Sequence, residues 1–195
     1  MNAARLLSIT LLVAALAAGC SASQPKLRYY TLVPPVAGDA GQPRLTPAIE
    51  LLPVKVAAQA DYPQLVLRQG AERFTLEENR LWVAPLPDEF RAALLARLAA
   101  VLPPQLAPVA DPVRVEIEVG RLDSVLGRYA LLEAGWRLKS GPRSLACASR
   151  SVQPVGKGFD ALVAGHQRAV QALADDIAAG LTALGAAQPA CPSLR

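Results

Sequence analysis

The sequence predicts an α/β fold in which a mixed or antiparallel sheet packs against two amphipathic helices. Apolar and polar residues alternate over Val113–Val119 and again over Tyr129–Lys139, as they do in strands that bury one face. Apolar residues recur at spacings of three and four over Phe90–Val101 and Phe159–Leu184, which is the period of an amphipathic helix. The chain without its first 19 residues has the length of one ordinary domain or two very small ones, and we expect a single domain.

The start of the chain has the pattern of an export signal that ends at a lipid attachment site. Arg5 is the only charge, and Leu6–Ala18 is an apolar run too short to span a bilayer comfortably as a helix. The segment Ala17-Ala18-Gly19-Cys20 resembles the bacterial lipobox, in which the cysteine thiol is diacylated and the chain is cut just before it. Ala17 stands where leucine is usual. The alternative is a plain secretory signal in which Cys20 is incidental.

We therefore expect three regions, which are a signal peptide over residues 1–19, a lipidated cysteine with a short tether over 20–26, and a single domain over 27–195. The residue after Cys20 is Ser21 rather than aspartate, and by resemblance to the sorting rule of Gram-negative lipoproteins this favours the outer membrane. The tether reaches only about 20 Å when fully extended, so the domain is expected to lie close to the membrane.

The first part of the domain is predicted to be mostly β-structure. Leu27–Val33 is rich in aromatic and β-branched residues and ends at two prolines, which is typical of a strand. Ile49–Val56 is a second strand, at a sheet edge or bulged at Pro53, because proline cannot donate to a ladder. Two apolar runs around Gln69-Gly70-Ala71 indicate a hairpin, and Glu77–Arg80 is interpreted as a polar turn. The hairpin runs are Gln64–Arg68 and Glu72–Leu76.

The second part is predicted to run helix, meander, helix. The pair Asp88-Glu89 stands where carboxylates favour the start of a helix, and Pro103-Pro104 stops that helix. Turns at Gly127-Arg128 and Ser140–Pro142 then join three antiparallel strands, of which the third is Arg143–Val152. The long second helix follows the meander.

Three cysteines suit an oxidising compartment. If Cys20 carries lipid, Cys147 and Cys191 remain as a natural disulfide pair. Their spacing resembles no metal-binding motif, and a bridge between them would stabilise the domain by about 4 kcal/mol on the loop-entropy estimate. The alternative is two unpaired, buried thiols.

The sequence offers no constellation of catalytic or metal-ligating residues, so we expect neither an enzyme nor a cofactor. The single histidine, His166, lies on the apolar side of a predicted helix, and no serine stands in a nucleophile elbow. Glu116 and Glu118 share the wet face of a strand, where a solvated surface is a simpler interpretation than acid–base chemistry or a cation site. The net charge is +4, and the basic residues are scattered along the chain rather than clustered, which argues against a nucleic-acid partner.

Three aromatic residues are candidate contacts for a protein partner, namely Tyr29, Tyr30 and Trp82. Tryptophan and tyrosine are enriched at binding hot spots, and the two tyrosines straddle the faces of the first strand. Trp136, in contrast, alternates in phase with a buried face and is assigned to the core. The first strand and the strand with Pro53 are also candidate sheet edges with which another subunit could pair.

Three blocks of the chain carry a resemblance to a known family. They are Arg28-Tyr29-Tyr30-Thr31-Leu32 shortly after the predicted lipidated cysteine, Ile49–Val56 followed by Asp61-Tyr62-Pro63-Gln64-Leu65-Val66, and Trp82 with Ala84-Pro85-Leu86 leading into a helix. Together, in this order and spacing, they resemble the ABC-type transport auxiliary lipoproteins, the PqiC or YmbA family. The resemblance extends from about Leu27 to Leu184.

The resemblance implies a non-catalytic lipoprotein on the periplasmic face of the outer membrane. Members of this family work with MCE-type proteins that build hydrophobic tunnels, and with inner-membrane permease components, in moving lipids between membranes. The resemblance also points to ring-like homo-oligomers. Two alternatives stay open, which are a carrier whose own apolar pocket binds lipid and an assembly lipoprotein for other envelope machinery.

Overall fold

The computed structural model describes residues 25–35, 49–102, 111–186 and 188–192; the predicted signal peptide and Cys20 lie outside them. Within the described residues the elements are β1 (Arg28–Tyr30), β2 (Ile49–Leu51), β3 (Lys55–Val56), β4 (Gln64–Gln69), β5 (Arg73–Trp82), α1 (Leu86–Val101), β6 (Val113–Val125), β7 (Tyr129–Ser140), β8 (Arg143–Pro154) and α2 (Phe159–Leu184). The predicted class, an α/β fold with a mixed sheet and two helices, is confirmed.

The strands form two sheets. β1, β5 and β4 make a three-stranded sheet in that order, with β1 parallel and β4 antiparallel to β5. In the larger, five-stranded sheet, β6, β7 and β8 form the predicted antiparallel meander. β2 and β3 both run parallel to β6 along its other side. Each sheet therefore mixes parallel and antiparallel pairs.

The predicted strand over Ile49–Val56 is divided at its proline. β2 and β3 pair with successive stretches of β6, and Pro53 lies in the gap between them. Proline has no N–H to donate, so the ladder opens around it while its neighbours keep the same partner strand. Leu52 N still donates to Val115 O at 3.0 Å, which holds the chain at the edge of the sheet.

One face of each sheet packs against the helices. α2 lies across β7 and β8 and contacts α1, and one core cluster takes side chains from both sheets and both helices. The predicted stripe of α1 is buried at Phe90, Leu94 and Leu98, whereas Val101, in the last turn, is exposed. The predicted stripe of α2 is buried throughout; its members are Leu162, His166, Ala169, Leu173, Ile177 and Leu184.

Two glycines let α2 approach the sheet closely. A Cβ at Gly180 would lie 2.5 Å from Cη2 of Trp136, and a Cβ at Gly165 would overlap Val155 Cγ1. Trp136 is buried, as its alternation predicts, and its Nε1 donates to Ser149 Oγ at 2.9 Å. The indole therefore has little room to shift, and the helix depends on glycine where it crosses the ring.

The predicted polar turn over Glu77–Arg80 is wrong, because these residues belong to β5. Arg80 lies in register with Arg28 of β1, and its guanidinium carbon lies 3.7 Å from the centroid of the Phe159 ring. Its Nη1 also donates to Glu77 Oε2 at 2.9 Å. Strand pairing and these side-chain contacts override the weak strand propensity of the polar run.

Candidate partner-binding surface

The structure separates the three aromatic residues predicted as partner contacts. Tyr29 in β1 is 61% exposed, whereas Tyr30 is half-buried against the core. Trp82, at the end of β5, is only 6% exposed and belongs to the core cluster. A side chain enclosed by its own domain offers no surface to a partner, so Trp82 is corrected to a core residue. Tyr29 keeps an open surface.

The chain is fastened directly after β1 by a buried carboxylate. Glu89, in the first turn of α1, accepts hydrogen bonds from Leu32 N–H and Thr31 Oγ1, each at 2.7 Å. Gln167 of α2 donates from Nε2 to Thr31 O at 3.0 Å. The acidic residue that marks the start of the helix in the sequence thus also ties the first strand to the helical layer.

Cys147 and Cys191 form a disulfide in the structure, across a separation of 44 residues. Cys147 lies in β8, so the bridge holds the segment that follows α2 against the outermost strand of the meander. Cys20, the predicted lipidation site, lies outside the described residues.

The outer face of the larger sheet, which points away from α2, carries charged side chains in cross-strand pairs. Arg137 Nη1 lies 3.7 Å from Glu116 Oε2, and Arg150 Nε donates to Glu133 Oε1 at 3.0 Å. Each pair joins residues that are opposite one another in register. Glu116 and Glu118 are exposed on this face, as the alternation predicts, and Glu116 has an ion-pair partner.

Between the two ion pairs the outer face is lined by very small residues, Gly120, Gly135, Ala146 and Ala148, which we call the glycine trough. The open depression over the first three has a volume of about 800 Å³ and reaches Pro53 at the sheet edge. Ala148 lines a neighbouring depression together with Gly120 and Gly135. A Cβ at Gly120 or at Gly135 would meet nothing within 4 Å. Packing within the described residues therefore does not require glycine at either position, and the sheet backbone is open to an approaching molecule.

Sequence reasoning missed the glycine trough. Its signal was present, since Gly135 interrupts a clear strand pattern and Gly120 directly follows another. A glycine inside a strand marks either a bulge or a close backbone approach, and the local sequence does not say which. The structure shows a register shift between Val119 and Arg121, so Gly120 lies at a bulge, whereas Gly135 pairs regularly with Glu118 and Ala148.

A buried polar cluster joins the two sheets to α2. Asp123 of β6 is buried and forms ion pairs with Arg121 and, at 2.9 Å, with Arg68 Nε of β4. The neighbouring carboxylate raises the pKa of Arg121. Ser124 Oγ lies 2.8 Å from Nε2 of His166, which is only 1% exposed. Burial lowers the pKa of His166 to about 4, against the opposing charge of Asp123, so the imidazole is neutral at neutral pH.

The geometry of this cluster favours a structural role. His166 is closed off from solvent, and its Nδ1 has no hydrogen-bond partner in the described part of the chain. No three His, Cys, Asp or Glu side chains in the described ranges come together in a way that could hold a metal ion.

Among the described helices, none combines the length and the apolar character needed to cross a bilayer.

The family model described as ABC-type transport auxiliary lipoprotein component matches residues 30–178. A solved structure described only as an uncharacterized protein is 17% identical and has a TM-score of 0.65, over 80% of this chain and 99% of its own. Protein XCC0632 from Xanthomonas campestris, of the DUF330 family, is 17% identical with a TM-score of 0.62, over 81% of this chain and 96% of its own. At such identities the two structures support the fold alone. No curated protein matches the sequence.

The match to the family model covers well over half of the chain and includes β2 to β8 in full, together with Tyr30 at the end of β1. It contains two of the three blocks that carry the sequence resemblance in full, Ile49–Val56 with Asp61–Val66 and Trp82 with Ala84–Leu86, and the last three residues of the block Arg28–Leu32. The chain therefore belongs to the family of ABC-type transport auxiliary lipoprotein components.

Proposed function

We propose that this lipoprotein is the outer-membrane component of an MCE/ABC-type system for intermembrane lipid transport. In this role it docks a periplasmic tunnel protein of the MCE type, acts with inner-membrane permease components and supports envelope integrity. Family membership supports the general role of a transport auxiliary lipoprotein. The observation that carries the docking role is the glycine trough on the outer face of the larger sheet.

The glycine trough suits contact with a protein. At Gly120 and Gly135 no side chain covers the backbone, so a partner can approach more closely than over larger residues. The ion pairs on both sides, Glu116 with Arg137 and Glu133 with Arg150, present charges of both signs. Such polar rims orient a partner and discriminate against wrong ones.

The shape of the depression favours docking over the carrier alternative. A lipid carrier needs an enclosed, mostly apolar cavity that buries most of its ligand. The depression over the trough is open and has Lys55, Glu116, Glu118 and Arg137 among its lining residues. An acyl chain would desolvate these charged groups and offer them no polar partner, whereas a polar protein surface can form hydrogen bonds and ion pairs with them.

Crosslinking in native envelopes tests the transport role. We expect an MCE-type protein to be recovered with the wild-type lipoprotein and to be lost with Cys20→Ala, which removes the anchor. A lipoprotein recovered cleanly from the outer membrane without any MCE-type protein would contradict the proposal. One copurifying lipid per chain would then favour the carrier, and recovery of other envelope machinery would favour the assembly role.

Filling the trough tests the surface itself. We expect Gly135→Gln to reduce the crosslinked yield about tenfold or more, because the new side chain occupies the space a partner needs. Its Cβ has nothing within 4 Å, so the domain should stay folded. Ala179→Gln, which adds the same side chain on the exposed side of α2, is the matched control and should leave the yield unchanged. Equal capture by both folded variants would remove the trough from the proposal.

A further inference from the structure

The outer face of the smaller sheet exposes several large apolar side chains, whereas the outer face of the larger sheet exposes charged ones. Strand register places Tyr29 beside Leu81, and Leu76 beside Val66. Paired residues share a face, and alternation along β4 places the next pair, Phe74 and Arg68, on that same face. We call its exposed members the apolar row; they are Leu27 at 55%, Tyr29 at 61%, Phe74 at 45%, Leu76 at 42% and Val83 at 61% exposed.

The apolar row has the side-chain chemistry of a membrane–water interface. Exposed apolar patches on soluble domains mark contacts with proteins or membranes. Aromatic residues prefer the level of the lipid headgroups, and basic residues nearby attract anionic lipids. The guanidinium carbon of Arg68 lies 4.3 Å from the centroid of the Phe74 ring, but its charge is already paired with the buried Asp123, so the lipid-facing basic groups are other residues. Lys26 and Arg28 are exposed beside the carboxyl-terminal part of β5, and Arg73 is exposed at its amino-terminal end, where Glu72 is also exposed. Glu78 of β5 is an exposed carboxylate as well.

The length of chain before β1 selects the membrane as the occupant. Leu27 comes seven residues after Cys20, so a lipid anchor at Cys20 keeps Leu27 within about 25 Å of the bilayer surface. Leu27 and Tyr29 belong to the apolar row themselves. The row is therefore the apolar surface that the anchor brings nearest to its own membrane.

We infer that the apolar row rests on the membrane that carries the anchor, with its side chains among the lipid headgroups and the first acyl carbons. This rests on the proposed function in one respect, which is the lipid anchor at Cys20. It is independent of the MCE-type partner. The apolar row is a membrane contact in addition to the acyl chains of the anchor. Two contacts fix the orientation of the domain on the membrane, whereas a flexible tether alone does not.

Quenching of tryptophan fluorescence by brominated phospholipids tests the contact. The lipidated full-length mature protein is placed in vesicles of phosphatidylethanolamine and phosphatidylglycerol, with and without bromine on the acyl chains. We expect Leu76→Trp to be quenched. Val101→Trp, at the exposed end of α1 in the helical layer, is the matched control and should not be quenched above background. The native Trp82 and Trp136 are buried and contribute equally to both variants.

The outcomes separate this inference from the proposed function. Equal quenching at positions 76 and 101, or none at 76 in protein that floats with the vesicles, would overturn it. The inference would also be overturned if a second copy of the chain covered position 76 and shielded its indole from lipid. Protein that does not float would overturn the anchor and the inference together. If the crosslinking experiment recovers no MCE-type protein while the indole at position 76 is quenched in vesicles, the inference is supported and only the proposed docking is overturned.

Discussion

Removing the Cys147–Cys191 bridge should lower the free energy of unfolding by about 4 kcal/mol. The bridge closes a separation of 44 residues, and the loop-entropy relation gives this magnitude for a loop of that length. It also fastens the segment after α2 to β8, the outermost strand of the larger sheet. Urea unfolding of the wild type beside a variant with serine at both positions measures the difference. The double replacement leaves no stray thiol to react.

Reduction provides the control for this prediction. A mild reductant should bring the wild type close to the double-serine variant and leave the variant unchanged, because only the wild type has a bridge to lose. A wild type whose unfolding midpoint is insensitive to reductant, and equal to that of the variant, would mean that the two thiols do not pair in the mature protein.

The wild type should also lose about 3 kcal/mol of stability between pH 7 and pH 4 that a His166→Gln variant keeps. Burial lowers the pKa of His166 from 6.5 to about 4. Above pH 6.5 the imidazole is neutral in both states, so it adds no pH dependence. Below pH 6.5 the unfolded chain binds a proton that the folded chain excludes, and stability falls until the pH reaches about 4.

Glutamine is the matched replacement because it does not titrate and can still bond to Ser124 Oγ. Urea unfolding at a series of pH values gives the free energy for both proteins. The two proteins differ only at position 166, so the difference between the curves reports the effect of the imidazole. Parallel curves from pH 7 to pH 4 would show that the imidazole is not held neutral by the fold.

The two helices were predictable because each carries its own local signals. α2 has the predicted bounds Phe159–Leu184, since a long apolar stripe runs between glycines at both ends. α1 ends at Val101, shortly before Pro103-Pro104, although it begins at Leu86 rather than at the predicted acidic pair. Periodicity and helix-ending residues are properties of a short stretch of chain, and no distant contact is needed to interpret them.

The division into two sheets was not predictable in the same way. Alternation says which side chains are buried, but it does not say which strand lies beside which. β1 pairs with β5, and β2 with β6, between segments far apart in the chain. The bulge at Gly120 also reverses the alternation, so the predicted strand stops at Val119 while β6 continues to Val125.

The candidate surface shows the same limit. Tyr29 and Trp82 look alike as exposed aromatic candidates in the sequence, but Tyr29 lies at an edge and Trp82 is enclosed by the core. The burial of Trp82 depends on β1 and on the helices, which no window of sequence around residue 82 contains. The glycine trough was missed for another reason, because a glycine in a strand pattern indicates either a bulge or a close backbone approach and the local sequence does not distinguish them.

The fastening of the chain behind β1 has a mechanical consequence. If the protein links its membrane to a partner as proposed, with an anchor at Cys20, tension enters the domain through its amino-terminal strand. β1 has only three residues and would slip from β5 easily if its ladder bore the load alone. Directly after β1, Thr31 and Leu32 are hydrogen-bonded to Glu89 of α1 and Gln167 of α2. These bonds distribute the force over both helices. We therefore expect β1 to stay paired with β5 when the domain is under tension between membrane and partner.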